Sequence, residues 1–246
     1  MILRQVLELY DYLDTPHASG ESVAELFRSR GADHVEVEKL TGPHGFTWGI
    51  KVVITGEKGK RTQGHAPTLG IIGRLGGIGA RPEVTGFVSD GDGALAALAA
   101  GLKLVEMKTQ GDTLVEDVIV TTHICPDAPT QEHDPVPFMG SPIDMDVMNR
   151  FEVDSEMDAI VSIDTTKGNK VINHRGFAIS PTIKSGYILK VSDPLLAVME
   201  TVTGRPGVVF AVSQQDITPY GNGLYHLNSI LQPATSTEAP VVGVAI

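Results

Sequence analysis

Four side chains that can bind metal ions or transfer protons stand at or just past the ends of apolar, strand-like segments: His65, Asp90, His123 and Asp164. If these segments are neighbouring strands of a parallel sheet, the four side chains converge on one edge, where open α/β sheets bind ligands. Zinc, manganese and iron accept His and carboxylate ligands, and sets with a bridging Asp suit paired metals. The pattern therefore predicts a metal site at this edge.

Asp90 also has a simpler interpretation. Residues 87–104, FVSDGDGALAALAAGLKL, place two aspartates and two glycines between an apolar strand-like run and an alanine-rich helix. Asp90 or Asp92 could be the N-cap of that helix and accept hydrogen bonds from its first amide groups. A single His at a strand end is likewise more often an ordinary hydrogen-bonded residue, so the hypothesis of a site depends on the convergence of several ends.

The irregular segment that follows His123 offers candidates for a general base. Its sequence, PDAPTQEHDP, contains Asp127, Glu132, His133 and Asp134. A carboxylate or imidazole near a metal-bound water could take its proton if its pKa suits the task. The alternative is a polar surface loop stiffened by prolines, and this alternative suits Glu132 and Asp134 better than the other two residues.

A different chemistry would use the single cysteine. His123 and Cys125 are two residues apart on a predicted strand, so they point to the same face. A thiolate activated by the His could be the nucleophile of an acyl transfer or act in a racemisation. Most lone cysteines, however, are small buried hydrophobic residues.

The elements that must position these residues alternate between helices and strands. Apolar spacing and propensity predict helices at 2–14, 21–29, from Ala94 onward, 193–204 (capped by Asp193) and 223–231. Strands are predicted directly before Ser89 and at 34–40, 46–57, 116–125, 158–169, 185–191, 207–213 and 239–246. The alternation predicts an α/β fold with a mainly parallel sheet and helices on both faces. With no repeat and no clear linker, residues 1–246 are expected to form a single domain.

Glycine-rich residues 70–82 match neither a Walker A motif nor a Rossmann fingerprint, so we interpret these glycines as allowing close backbone packing near the site. The net charge of −11 disfavours nucleic acid and anionic membranes as partners. No secretion signal or membrane span is visible, and one cysteine suits a reducing compartment, so we expect a cytoplasmic protein. The apolar segment 239–246 would leave an exposed edge if it lay at the sheet margin, so we also expect a homo-oligomer, most simply a dimer. The alternative is that this strand lies inside its own sheet, and then nothing forces association.

Several motifs resemble the co-catalytic zinc aminopeptidases of the glutamyl and tetrahedral type. The segment DGDGALAALAAGLKL is similar to their motif in which an Asp bridges two metals, and Asp90 is that Asp in this register. GHAPTLGIIG resembles their Gly-His-x-Asp segment, whose His is a ligand, although Pro67 stands in place of the Asp. DAIVSIDTTKGN resembles the strand that ends in a ligand Asp, here Asp164, and GNGLYHLNSILQPATSTEAPVVGVAI resembles their closing helix and strand.

The resemblance extends from about Gly64 to the end of the chain, and it lies above all in the order of these motifs. The whole chain resembles most closely an uncharacterised bacterial family of proteins of unknown function (number 1177), which we place beside these peptidases. The resemblance implies a zinc-peptidase-like three-layer sandwich that binds two zinc ions, with manganese as the alternative. The implied ligands are His65, Asp90, His123 and Asp164. The peptidases' last ligand His lies beyond their closing strand, and His226 on the preceding predicted helix is its nearby substitute here. The peptidases' Glu-Glu pair is absent, so His123 would replace the ligand Glu.

These observations lead to one functional prediction. The chain is expected to be a metal-dependent hydrolase that cleaves an amide bond in a small peptide, an amino-acid derivative or a lactam through a metal-activated water. Asp127, Glu132 and His133 are the predicted catalytic residues. The alternatives are an acyl-transfer or racemase-type enzyme that uses Cys125 and His123, and a non-catalytic relative that binds a small molecule.

Overall fold

The computed structural model describes residues 1–74, 86–126, 128–132, 138–165, 174–212 and 229–246. Its helices are α1 (Leu3–Leu13), α2 (Gly20–Ser29), α3 (Asp92–Thr109), α4 (Met145–Glu152) and α5 (Asp193–Thr203). Its strands are β1 (His34–Gly42), β2 (Gly45–Ile54), β3 (Leu69–Gly73), β4 (Val118–Ile124), β5 (Thr130–Gln131), β6 (Phe138–Met139), β7 (Ala159–Asp164), β8 (Ala178–Ile179), β9 (Ile183–Lys184), β10 (Tyr187–Ile188) and β11 (Val241–Ala245). Short 3₁₀ turns cover Lys60–Thr62, Ser89–Gly91 and Ser229–Thr235.

Nine of the described strands form one sheet. Its order is β1-β2-β4-β3-β7-β11-β9-β10, and β8 also pairs with β11. The four central strands β4, β3, β7 and β11 are parallel, while the hairpin β1–β2 and the short strands β8 and β9 join them antiparallel. The predicted α/β fold with a mainly parallel centre is confirmed.

Helices and turns cover both faces of this sheet. On one face, Leu9 of α1, Phe27 of α2 and Leu98 of α3 pack against β2 and β4. On the other face, Ile72 and Ile160 of the sheet pack with residues of the 3₁₀ turn Ser229–Thr235. Every side chain of β4 is buried because the strand is covered on both sides. The predicted three-layer arrangement is therefore present.

Some elements differ from the predictions. Residues 86–88 are not a strand, so Asp90 follows no strand directly and lies within the 3₁₀ turn Ser89–Gly91. The strand that precedes α3 among the described residues is β3. The cap of α5 is Ser192, whose hydroxyl accepts a hydrogen bond from the Leu195 amide, rather than Asp193. Residues 207–212 form no strand, and Val209 makes only an isolated bridge to Ile179.

The ends of the predicted elements near the C-terminus also need correction. The predicted strand 185–191 is reduced to two paired residues in a hairpin with β9, and the described part of the predicted helix 223–231 is a 3₁₀ turn. Residues 223–228 lie outside the described residues. Among the helices that the structure describes, none combines the length and apolar character needed to cross a membrane.

Strand β11 lies inside the sheet. It pairs with β7 on one side and with β8 and β9 on the other. The expectation that an exposed edge at residues 239–246 drives dimerisation is therefore wrong, because the hydrogen-bonding groups of this strand have neighbours within the same chain.

Candidate functional site

A row of three ionisable residues crosses the carboxyl edge of the central strands. Gly73 of β3 is in register with Thr122 of β4 and with Ile163 of β7. One residue further along the chain, His123 of β4, Arg74 directly after β3 and Asp164 of β7 therefore lie side by side. Neighbours in a parallel register point to the same face of the sheet. The backbone amide of Arg74 continues the ladder with a 2.7 Å hydrogen bond to the carbonyl oxygen of Ile163.

Arg74 and His123 share a carboxylate from α4. Nη1 of Arg74 donates to Oε2 of Glu152 at 2.5 Å and to Oδ1 of Asn149 at 3.0 Å. Oε1 of the same Glu152 lies 2.5 Å from Nδ1 of His123. Arg74 is 1% exposed, His123 3% and Glu152 0%. Burial opposes the charge of Glu152, but Arg74 and His123 outweigh it, so the pKa of Glu152 is lowered.

Helix α4 packs closely against the sheet at this position because β2 has a glycine, and so no side chain, at the contact. Gly49 of β2 is the register partner of His123, and a Cβ atom on Gly49 would lie 2.6 Å from the Phe151 ring. The hydroxyl of Thr121 on β4 also donates to the carbonyl oxygen of Glu152 at 2.8 Å. The glycine and this hydrogen bond together hold the end of α4 against the sheet.

Asp164 is the third residue of the row, and its negative charge is the one that the surrounding groups compensate least. Its carboxylate is fully buried; the Ser229 hydroxyl donates to Oδ2 at 3.1 Å and the Thr165 amide to Oδ1 at 2.7 Å. Burial raises its pKa to about 7, although Arg74 and these hydrogen bonds oppose the shift. The charge of Asp90 adds to the increase. A cation near Asp164 would therefore be favourable.

The amino end of α3 lies against the same edge because two glycines meet there. A Cβ atom on Gly93 would lie 2.4 Å from the carbonyl oxygen of Ile163, and one on Gly73 would lie 2.6 Å from the carbonyl oxygen of Gly93. This close approach confirms the interpretation of Gly73 as a packing residue. It also explains why a glycine, Gly93, directly follows Asp92 at the start of α3. The positive end of the helix dipole is thereby directed to the edge of the sheet.

Neither aspartate before α3 is its N-cap. The N-cap residue is Gly91, Asp92 is the first residue of the helix, and Asp90 lies in the preceding 3₁₀ turn. Burial, followed by the charge of Asp90, raises the pKa of Asp92. The capping interpretation is therefore wrong for both residues, and Asp90 is close enough to act electrostatically on Asp92 and Asp164.

The structure brings together some of the predicted site residues and separates others. Asp90, His123 and Asp164 reach the carboxyl edge. His65 does not, because it is an exposed residue of the loop at the amino end of β3, on the opposite edge of the sheet. The prediction that all four side chains converge is wrong for this residue, since it precedes its parallel strand instead of following it.

The predicted catalytic loop is described only in part. Glu132 is exposed and directly follows β5. Asp127 and His133, together with the predicted ligand His226, lie outside the described residues. Cys125 is 2% exposed and its Sγ lies 3.9 Å from the carbonyl oxygen of Phe46, which is typical of a buried structural thiol.

A metal does not fit the described residues by themselves. Asp90 and Asp164 offer oxygen ligands of the kind that divalent cations accept. Within the described ranges, however, no three His, Cys, Asp or Glu side chains are placed to hold an ion. Nδ1 of His123 is already paired with Glu152. A metal at this edge would need further ligands from residues outside these ranges.

Sequence reasoning missed Arg74, Glu152, Asn149 and Ser229. Arg74 directly follows the apolar run of β3, which is the same signal that identified Asp164. Glu152 and Asn149 stand three residues apart on α4 and share its buried side with Met148, so polar residues on the apolar face of a helix were the available signal. Nothing in the sequence distinguishes Ser229.

A surface cleft of about 500 Å³ lies elsewhere, at the amino ends of β7 and β11. Asp158, Lys184 and Glu238 are among its lining residues. None of the row residues lines it, so this cleft is separate from the buried cluster at the carboxyl edge.

The fold is similar to that of a known enzyme. Among solved structures, a point mutant of tomato leucine aminopeptidase matches with a TM-score of 0.55 and 11% identity, over 99% of this chain and 55% of that chain. The chain thus spans about half the length of that aminopeptidase, and at this identity the likeness shows the fold alone. No curated protein matches the chain significantly. Residues 38–246 match the family model described as "Protein of unknown function (DUF1177)", which confirms the resemblance drawn from the motifs, and the chain belongs to that family.

Proposed function

We propose that this chain is a hydrolase that cleaves an amide bond in a small peptide, an amino-acid derivative or a lactam. The observation that carries the proposal is the row His123, Arg74 and Asp164, buried on one face of three adjacent strands at their carboxyl ends. Burying three ionisable groups together costs stability, which is typical of functional sites. The aminopeptidase-like fold is consistent with this reaction class.

The row contains the kinds of group that amide hydrolysis requires. The reaction needs an acceptor for a proton of water and a positive charge for the oxyanion of the tetrahedral intermediate. Asp164 and the imidazole of His123 are the proposed proton acceptors. Arg74 and the amino end of α3 supply positive charge at the same edge. The partly compensated carboxylate of Asp164 would also attract the ammonium group of an aminoacyl substrate.

The dependence on zinc or manganese remains a prediction. Elemental analysis of protein purified without added metal tests it directly. About two equivalents of either metal, with a lower content after Asp90→Ala, would support the paired-metal hypothesis. Hydrolysis by a protein that contains no metal would contradict it. The cytoplasmic location and the small-molecule or peptide substrate likewise remain predictions.

The hydrolase proposal is tested with a panel of aminoacyl p-nitroanilides and small lactams. Asp164→Asn is expected to lower kcat/KM at least about 100-fold, the scale of losing a general acid–base group. Asp117→Asn is the matched control, because Asp117 is also buried but lies at the amino end of β4, where it accepts hydrogen bonds from the Gly56 and Arg61 amides. Equal activity of the two folded variants would refute the proposal.

The same assay separates the thiol alternative. Cys125 is buried beside the Phe46 carbonyl and His123 is paired with Glu152, so Cys125→Ser is expected to keep kcat within roughly tenfold of the wild type, a barrier change of about 1.4 kcal/mol. Complete loss of activity in a folded Cys125→Ser variant would favour the thiol mechanism. Substrate binding without any turnover would favour the non-catalytic alternative.

A further inference from the structure

We propose that Glu152, anchored by Arg74, is a positioning residue that holds His123 in the tautomer with its hydrogen on Nδ1, so that Nε2 is the basic nitrogen of the ring. The use of Nε2 in catalysis rests on the proposed hydrolase function. The hydrogen on Nδ1 follows from the contacts of these three side chains, and the state of both ring nitrogens can be measured without a substrate.

Arg74 determines which groups of this cluster donate hydrogen bonds and which accept them. The guanidinium of Arg74 is a donor only, and its Nη1 donates to Oε2 of Glu152 and Oδ1 of Asn149. The carboxylate of Glu152 is therefore an acceptor towards Arg74, and its second oxygen lies 2.5 Å from Nδ1 of His123. A carboxylate accepts on both oxygens, so the hydrogen between these two atoms belongs to the imidazole. A neutral imidazole with a hydrogen on Nδ1 has its lone pair on Nε2.

The arrangement differs from an ordinary buried ion pair elsewhere in the molecule. Glu106 of α3 is also a buried carboxylate, held by the side chains of Arg4, Arg30 and Gln5. That cluster ties α1 and α2 to the far end of α3 and contains no titratable ring. The Glu152 cluster instead connects a cation to an imidazole in the row at the carboxyl edge of the sheet. A carboxylate that holds Nδ1–H is a known way to orient a functional imidazole.

Replacing Glu152 by Gln makes the inference testable, because an amide has one acceptor end and one donor end. Arg74 still requires an acceptor, so the amide oxygen is expected to face Arg74 and the NH₂ group to face His123. Nδ1 must then accept, and the hydrogen moves to Nε2. Glu152→Gln is therefore expected to exchange the tautomer, whereas Glu106→Gln, the matched control, should leave His123 unchanged.

The experiment is a long-range ¹H–¹⁵N correlation spectrum of the histidine rings, recorded on ¹⁵N-labelled protein at a pH where free imidazole is neutral. His123→Asn identifies the His123 signals by their loss. The expected result is Nδ1–H in the wild type and in Glu106→Gln, and Nε2–H in Glu152→Gln. A wild-type His123 that carries its hydrogen on Nε2, or on both nitrogens, would overturn the inference even if Glu152→Gln did not fold. An unchanged tautomer in a folded Glu152→Gln would do the same.

The tautomer and the hydrolase proposal can fail separately. The expected tautomers in a protein that hydrolyses no substrate would leave the positioning role intact and refute the hydrolase. Hydrolysis by a protein whose His123 has the opposite tautomer would refute the positioning role alone. If both the positioning role and the hydrolase function are correct, Glu152→Gln should lower kcat about 100-fold or more while KM changes little. The reason is that a misoriented His123 base affects the chemical step rather than substrate binding.

Discussion

At the residue scale, the surrounding protein compensates the charged form of Asp164 only in part. The carboxylate accepts two hydrogen bonds and lies near Arg74, yet full burial and the neighbouring Asp90 raise its pKa to about 7. In the unfolded chain the same carboxyl titrates near its ordinary value of 3.8. This difference has a measurable consequence for stability, because proton binding and folding are linked.

Between about pH 4 and 7 the folded protein keeps a proton on Asp164 that the unfolded chain releases. The free energy of unfolding should therefore fall as the pH rises through this window, and the loss should be complete above about pH 7. Asp164→Asn removes this contribution, so the stability of the variant relative to the wild type should increase from pH 4 to pH 8, by up to about 4 kcal/mol at about 1.4 kcal/mol per pKa unit.

Urea unfolding of both proteins across this pH range, with a chelator present, measures the difference. The chelator matters because a bound cation would keep the carboxylate charged at lower pH. Parallel stability curves for the wild type and Asp164→Asn would show that Asp164 is ionised throughout the range and contradict the prediction.

At the element scale, glycines determine how closely helices approach the edge of the sheet. Gly93 and Gly73 let the amino end of α3 contact β3 and β7, and Gly49 leaves room for Phe151 of α4. At these contacts a methyl group would lie 2.4–2.6 Å from a carbonyl oxygen or an aromatic carbon. The position of two helices relative to the row of ionisable residues therefore depends on the absence of side chains at these three contact positions.

Gly49→Ala is expected to push the Phe151 ring away and to move Glu152 from His123. The cost should be about 1–3 kcal/mol, the usual scale for overpacking a core. Phe151→Leu removes much of the clash, so the double variant should lose less stability than the sum of the two single variants. A double-mutant cycle by chemical denaturation measures this coupling. Strict additivity would indicate that α4 is not held by this contact.

At the scale of the whole molecule, the sheet has charged residues along one margin and apolar residues at the other. The edge strand β1 carries Glu36, Glu38 and Lys39, which disfavour pairing with another chain. At the opposite margin, Tyr187 and Ile188 of β10 are exposed. Helix α5, rich in apolar residues, buries only Met199.

The homo-oligomer remains a prediction, and α5 is now the element that supports it. Val198 and Val202 are one helical turn apart and are 58% and 74% exposed. If two copies associate through this helix, Val202→Glu should shift the mass measured by light scattering at micromolar concentration to that of a single 26.2 kDa chain. A wild-type protein that is already a monomer would rule out the prediction, and an oligomer unaffected by Val202→Glu would rule out this surface.

The sequence by itself determined the elements whose signals are local. Helical spacing predicted α1 and α2, alternating and apolar runs predicted β1, β2, β4, β7 and β11, and the alternation of elements predicted the layered α/β fold. Asp164 and His123 could be predicted as edge residues because each stands at the end of a strongly apolar strand. These inferences depend only on neighbouring residues and on the rule that parallel strands end at a common edge.

Only the tertiary structure decided which side chains meet. The direction and register of the strands put Arg74 between His123 and Asp164, and they put His65 at the opposite edge. Glu152 reaches His123 across 29 positions of the sequence because Gly49 admits Phe151, a contact between distant segments that no local pattern records. Burial, which depends on every layer around a residue, is what makes Asp164 retain its proton near neutral pH.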